Sequence, residues 1–205
     1  MRLFLGLVCS FSFVAIVSAQ VPEVRQGSFE LGGFVGASYG VDSYRVMGGG
    51  NVSYAVTKIL LPYVEYSYFP GIERSVSGTI GNTNTPFTGS YSVPLSDFHG
   101  GVHVRLIHKE SKFVPYAVFG VGGLTYSGFN YNIMAQVNNS TITSMLQASG
   151  ATAVAINFGA GVRYYVSPRY GFRLEAKGYK PYGDKATGFT DPFMKAEAGF
   201  FIQLK

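Results

Sequence analysis

The residues of this chain best suited to chemistry are Ser96, Asp97 and His99, with His103 and His108 a little further on. A hydroxyl, an imidazole and a carboxylate are the parts of an acyl-hydrolysing centre, which needs the nucleophile within hydrogen-bond reach of its base and a third group orienting that base. The flanking residues alternate in polarity as a strand does, so Ser96 and His99, three apart, project from opposite faces and cannot pair directly. His99 and His103 share a face, yet four residues of strand separate them by ~13 Å, too far to share a metal ion. His108 falls in a charged turn, where it is solvated. The Ser/Thr and Asn-Gly runs elsewhere lack the spacing of a phosphate-binding loop. The sequence therefore predicts no catalytic, cofactor-binding or metal site.

What the sequence does contain is a set of charges with a common phase. Between Ile156 and Tyr179, Ile156, Phe158, Ala160, Val162 and Tyr164 alternate with Asn157, Gly159, Gly161, Arg163 and Tyr165. After Ser167-Pro168-Arg169-Tyr170, Phe172, Leu174 and Ala176 alternate with Arg173, Glu175 and Lys177. Polarity that flips at every step is the period of a pleated strand, so two strands joined by a short turn are predicted. The same pattern runs through Phe29 to Tyr39, Val46 to Val56, Leu60 to Tyr68, Phe98 to Leu106 and Met194 to Leu204. Thr57-Lys58 reads as a two-residue hairpin turn. A further strand spans Phe113 to about Tyr126, where Gly120, Gly122 and Gly123 blur the phase. Pro70 to Leu95 and Ser127 to Thr152 read as long polar loops, and Lys180 to Pro192 as a shorter one.

Eight strands of ~10 residues are thus expected, the length a tilted strand needs to cross a bilayer. Long connections fall mostly at one end and short ones at the other, as in membrane barrels; Gly40 to Tyr44 departs from that rule. On the strands of clear phase the apolar face carries no charge, while the other carries Glu30, Glu65, Arg105, Arg163, Arg173, Glu175, Lys177, Lys195 and Glu197. In a soluble lipocalin-like carrier these nine would have to solubilise the whole exterior. In a membrane barrel the apolar face meets lipid and the charges face a lumen that eight strands leave just wide enough for side chains. Buried charges persist when paired, so an internal ladder is expected, Arg163, Arg173 and Lys177 against Glu30, Glu175 and Glu197. Gly32, Gly36, Gly101, Gly159 and Gly161 on the same face leave space for water, which keeps a narrow pore open as an alternative. Tyr39, Tyr54, Tyr68, Phe98, Tyr164 and Phe172 lie near strand ends, where an interfacial girdle belongs.

Composition agrees. Of 205 residues 47% are hydrophobic and 13% charged, about half the ~25% of an ordinary soluble domain. Met1-Arg2, the apolar run Leu3 to Val17 and Val17-Ser18-Ala19 read as a signal peptide (1–19) removed before a single barrel domain (20–205). Cys9, the only cysteine, lies within it, and Gly6-Leu7-Val8 is a poor lead-in for lipidation. The mature chain has no thiol, and sequons at Asn51, Asn138 and Asn139 carry no weight in a bacterial envelope. The net charge of +5, or +4 without Arg2, is dispersed, so nucleic acid is not an expected partner.

The motifs Pro115-Tyr116 with Gly120-Val121-Gly122, Gly159-Ala160-Gly161-Val162-Arg163-Tyr164, Phe172-Arg173-Leu174-Glu175-Ala176 and the last strand resemble the small eight-stranded outer-membrane barrels of the OmpA/OmpX type. The resemblance covers Gly27 to Lys205. It implies an all-β, eight-stranded antiparallel up-and-down transmembrane barrel in the bacterial outer membrane, with a structural or surface-display role and no enzymatic activity. Outer-membrane lipid and lipopolysaccharide are the implied surroundings, and the long loops would meet an unidentified extracellular ligand. The last strand resembles the signal read by the barrel-assembly machinery through Glu197, Gly199, Ile202 and Leu204, although the chain ends in Lys205 where an aromatic residue is usual. Some barrels of this size modify lipid A; the opposed faces of Ser96 and His99 argue against that here.

Overall fold

The computed structural model describes residues 26–40, 44–71, 73–80, 85–106, 111–137, 140–183 and 191–204. The proposed signal segment, Asn138-Asn139 and His108 lie outside them. The described residues form twelve strands: β1 (Phe29–Tyr39), β2 (Tyr44–Tyr54), β3 (Leu60–Phe69), β4 (Glu73–Ile80), β5 (Thr85–Ser92), β6 (Leu95–Arg105), β7 (Phe113–Tyr126), β8 (Phe129–Val137), β9 (Ser140–Ala148), β10 (Ala151–Ser167), β11 (Tyr170–Tyr182) and β12 (Phe193–Leu204). Eight of them close a barrel in the order β1-β12-β11-β10-β7-β6-β3-β2, every neighbouring pair antiparallel. Closure pairs the backbone groups of each strand on both sides, the condition for a sheet to sit in hydrocarbon.

The outer surface is the expected apolar face. Phe29, Leu31, Val35, Val46, Val64, Phe119, Val121, Phe158, Leu174, Phe200 and Ile202 are all exposed. With no soluble core to join, so continuous an exposed surface is stable only against lipid. Tyr39, Tyr54, Tyr68, Phe98 and Phe172 are exposed and Tyr164 half-buried, and Phe113 stacks beside Tyr164 with ring centroids 4.8 Å apart. Ala117, Ala160, Ala176, Ala196 and Ala37 stand in register across five successive strands.

Four expectations need correction. The described residues of 70–95 and 127–152 are not irregular loops. They form the hairpins β4-β5 and β8-β9, which join through β5 and β8 into a second, four-stranded sheet at the loop end. This sheet is separate from the barrel, so lipid and lumen impose no apolar phase on its sequence. The second strand begins at Tyr44 and ends at Tyr54, leaving a five-residue connection in place of a two-residue turn. There Thr57 Oγ1 accepts the Ile59 and Leu60 amides at 3.1 and 2.9 Å, a side-chain-closed turn that ends pairing early. The fourth barrel strand starts at Leu95, not Phe98, which brings Asp97 into the sheet. Finally, β10 and β11 run beyond the predicted hairpin, from Ala151 and to Tyr182. The phase of β7, blurred in sequence, is set by its pairing: Val114, Tyr116, Val118 and Leu124 point inward, Phe113, Phe119 and Val121 outward.

Inside, three layers succeed one another. Ala55, Leu61, Val114, Tyr165 and Phe201 close the turn end. Phe34, Met47, Phe69, Leu95, Leu124, Tyr179 and Phe193 pack toward the loop end. Between these apolar clusters lie most of the charges.

Candidate functional site: the charged interior

Strand alternation delivers the charged side chains to one enclosed space. β3 supplies Glu65, β11 supplies Arg173, Glu175 and Lys177, and β12 supplies Lys195 and Glu197, all buried. Glu65 is the hub. Its carboxylate accepts from Lys177 Nζ at 2.7 and 2.8 Å and from Lys195 Nζ at 2.7 Å, with Arg173 Nη2 3.6 Å away. Lys177 also meets Glu175 at 2.6 Å and Glu197 at 3.4 Å. Carboxylate oxygens of Glu65, Glu175 and Glu197 lie within 4.8 Å of one another, the spacing of a cation site, and the Lys177 ammonium contacts all three. Three acids so close would repel one another strongly at low dielectric, so the ammonium is what makes the cluster tenable. Lys195 extends the network to Asp97 at 3.2 Å and Ser67 Oγ at 2.7 Å, and Arg173 reaches Glu197 at 3.1 Å.

A second group lies toward the turn end. Arg163 donates to Glu30 Oε1 from Nε at 3.2 Å and Nη2 at 3.0 Å, and its Nη2 also faces His103 Nδ1 at 2.8 Å. As an acceptor from a guanidinium, Nδ1 is unprotonated, which leaves Nε2, 3.7 Å from Glu175 Oε2, to carry the proton. The Tyr116 ring lies under Arg163 at 4.2 Å and its hydroxyl donates to Glu175 at 2.5 Å, linking the two groups. Tyr63 stacks on His103 with centroids 4.2 Å apart.

Eight of the nine charges expected inside meet in this arrangement. Arg105 does not; it sits at the turn end, where Nη1 donates to the Lys58 carbonyl at 2.9 Å. The members of the expected ladder pair among themselves, Arg163 with Glu30, Arg173 with Glu197 and Lys177 with Glu175 and Glu197, but the ladder leaves out Lys195 and the central Glu65. Sequence alternation overlooks Asp97, Arg45 and Tyr116. Arg45 shares the parity of Met47 and Asn51 and donates to the Val93 carbonyl at 2.8 Å, so extending the second strand by two residues finds it. Asp97 needs the same extension of the fourth strand, and Tyr116 needs the phase of β7.

The inward glycines sit hard against neighbouring atoms. A Cβ at Gly161 would come within 2.5 Å of the Tyr116 ring and 2.8 Å of the Leu174 carbonyl. One at Gly32 would strike Asn51 Oδ1, and at Gly36, Gly101 or Gly159 a carbonyl of the adjacent strand. At Gly32 and Gly161 glycine makes room for an interior side chain, and at Gly36, Gly101 and Gly159 for the close approach of the neighbouring strand.

Ser96 faces outward, its Oγ 3.2 Å from the Tyr66 hydroxyl, while Asp97 and His99 point inside. His99 Nδ1 contacts Asp97 Oδ1 and its Nε2 faces the Ala155 carbonyl at 3.2 Å. Both ring nitrogens are engaged, and the hydroxyl is on the other side of the sheet, so the three residues do not form a hydrolytic centre. On β12, Glu197 is buried, Gly199 lets Phe34 of β1 approach, and Ile202 and Leu204 face outward.

No family model matches the chain, and no curated protein matches it. Among solved structures, a major outer membrane protein from Thermus thermophilus superposes with a TM-score of 0.52 at 10% identity, over 88% of this chain and all of that one (100%). The fold is that of the small outer-membrane barrels. Ail, the attachment invasion locus protein of Yersinia pestis, aligns over 88% of this chain and 100% of its own at 9% identity, with a TM-score of 0.49. The N-terminal barrel domain of Pseudomonas aeruginosa OprF aligns over 87% of this chain and 98% of its own at 16% identity, with a TM-score of 0.45. At these identities the likeness is one of backbone. The interior network is a property of this barrel's own side chains.

Proposed function

We propose that the protein is a non-enzymatic, integral outer-membrane barrel that serves as a plugged structural element of the envelope and displays the paired hairpins β4-β5 and β8-β9 to the outside. The observation that carries this reading is the pairing of an apolar exterior, charged only at Lys180 among the described residues, with an interior crossed by ion pairs: the first favours lipid, and the second favours a plug over a pore. Residues 1–19 direct export, and β12, through Glu197, Gly199, Ile202 and Leu204, is the strand offered to the assembly machinery. Lipid and lipopolysaccharide surround the barrel. The loop-end sheet, held on a rigid scaffold, is where an extracellular ligand would be met.

Cell fractionation joined to gel migration, boiled against unboiled, tests the proposal. Protein in the outer-membrane fraction whose mobility shifts on boiling is expected. Soluble protein with no shift would mean that the apolar face looks at a ligand and not at lipid.

A further inference from the structure

Among the described residues, the outer face of the eight barrel strands carries one charged side chain, Lys180 on β11. It is exposed, three residues from the end of the strand at Tyr182 counting both, and opposite Ile156 of β10. From Phe172 to Lys180 the strand climbs ~26 Å, or roughly 20 Å along the barrel axis at a tilt of about 40°, which puts the ammonium at the loop-side margin of an apolar band ~25 Å tall. Among the described residues no carboxylate lies within ion-pairing distance of it. A cation placed there without an acidic partner among the described residues is compatible with the membrane only if its head reaches the interface, where anionic headgroups are found.

Directly below Lys180 the exterior is indented. A groove of about 870 Å³ opens between Ile156 and Phe158 of β10 on one side and Met194 of β12 and Tyr39 of β1 on the other. Ala176 and Gly178 form its floor, and Lys180 stands at its rim. The Phe158 ring leans over Gly178, where a Cβ would meet it at 3.5 Å, so the groove has a wall and is not a flat patch. Apart from Lys180 and Tyr39 at its ends, its walls are largely apolar. An acyl chain fits such a groove lengthwise, and a lipid holding a chain there brings its headgroup to the level of Lys180.

We propose that this groove is a binding site for a phosphorylated, acylated lipid of the outer leaflet, its chain lying along Phe158, Ala176 and Met194 and its phosphate paired with Lys180. The occupant is chosen by charge and depth together. A protein partner or second copy would bury the groove without supplying an anion at the rim, whereas a phosphate on an acylated sugar or glycerol carries both halves in one molecule. The site rests on the outer-membrane reading above and adds to it a specific lipid contact on one side of the barrel.

The test is native mass spectrometry of the purified full-length barrel in a non-ionic detergent, with diphosphorylated lipid A or its dephosphorylated form added. Lys180→Met, Lys180→Arg and Ala176→Phe are compared with the parent, each first checked for the boiling-dependent mobility shift. Retention of diphosphorylated lipid A by the parent is expected to fall at least threefold in Lys180→Met and in Ala176→Phe, and to be restored in Lys180→Arg. Dephosphorylated lipid A should bind the parent no better than Lys180→Met binds the phosphorylated form. Equal retention by parent and Lys180→Met, or indifference to the phosphates, overturns the site while leaving the barrel reading intact. A dimer that Ala176→Phe abolishes, in place of lipid adducts, would give the groove to a second copy and also overturn it. Loss of the mobility shift in the parent itself would count against the membrane reading, a separate result.

Discussion

The barrel and the loop-end sheet are both antiparallel and joined by the same chain, yet they are built on opposite terms. In the barrel each strand is paired on both sides, one face is hydrocarbon, and the other holds five buried acids and six buried bases among the described residues. In the sheet β4-β5-β8-β9, β4 and β9 are edges, and Thr79, Thr88, Met134, Thr143 and Met145 are exposed. The difference teaches where stability is concentrated. A charge inside the barrel has no water to fall back on and depends on its partners, whereas a residue of the outer sheet loses little when its neighbour changes.

The sharpest way to break that contrast is at the hub. Glu65→Leu removes the anion shared by Lys177 and Lys195 and is expected to destabilise the folded barrel by about 3–5 kcal/mol, read as a lower midpoint of unfolding in detergent. An unchanged midpoint would mean that the ammoniums find other partners and that the hub is not one. Arg173→Ala should cost less, about 2–3 kcal/mol, because Glu197 keeps Lys177 as a neighbour. A double-mutant cycle on Glu30 and Arg163 should return a coupling of roughly 1–3 kcal/mol, against less than about 0.5 for Glu30 with Lys195, which share no contact. Replacing residues 73–92 by a short turn is the smallest effect expected, within about 0.5 kcal/mol, with the boiling shift retained. A large loss from that deletion would make the outer sheet part of the barrel's stability and erase the distinction.

What can be read from the sequence follows the same division. The barrel strands are legible because lipid and lumen impose a two-residue period, and Glu65 can be placed inside from Val64, Tyr66 and Tyr68 alone. Pairing is not legible, since alternation gives the face of a residue but not its height in the barrel. Glu65 meets Lys177 and Lys195 only because β3 and the β11-β12 pair face each other across the lumen. The outer strands leave no such period because they form a separate sheet, on which lipid and lumen impose no alternation. Lys180 is visible as a charge and reads as the start of a loop, although it continues the outward parity of Phe172, Leu174 and Ala176.

The claim on which the account turns is that the interior is filled and closed. Planar-bilayer recording of the refolded barrel tests it most directly. A silent membrane is expected, with Glu65, Lys177 and Lys195 locked together across the lumen. Reproducible unitary steps from the unmodified protein would contradict it, showing a continuous path for ions through a network that these ion pairs are said to seal.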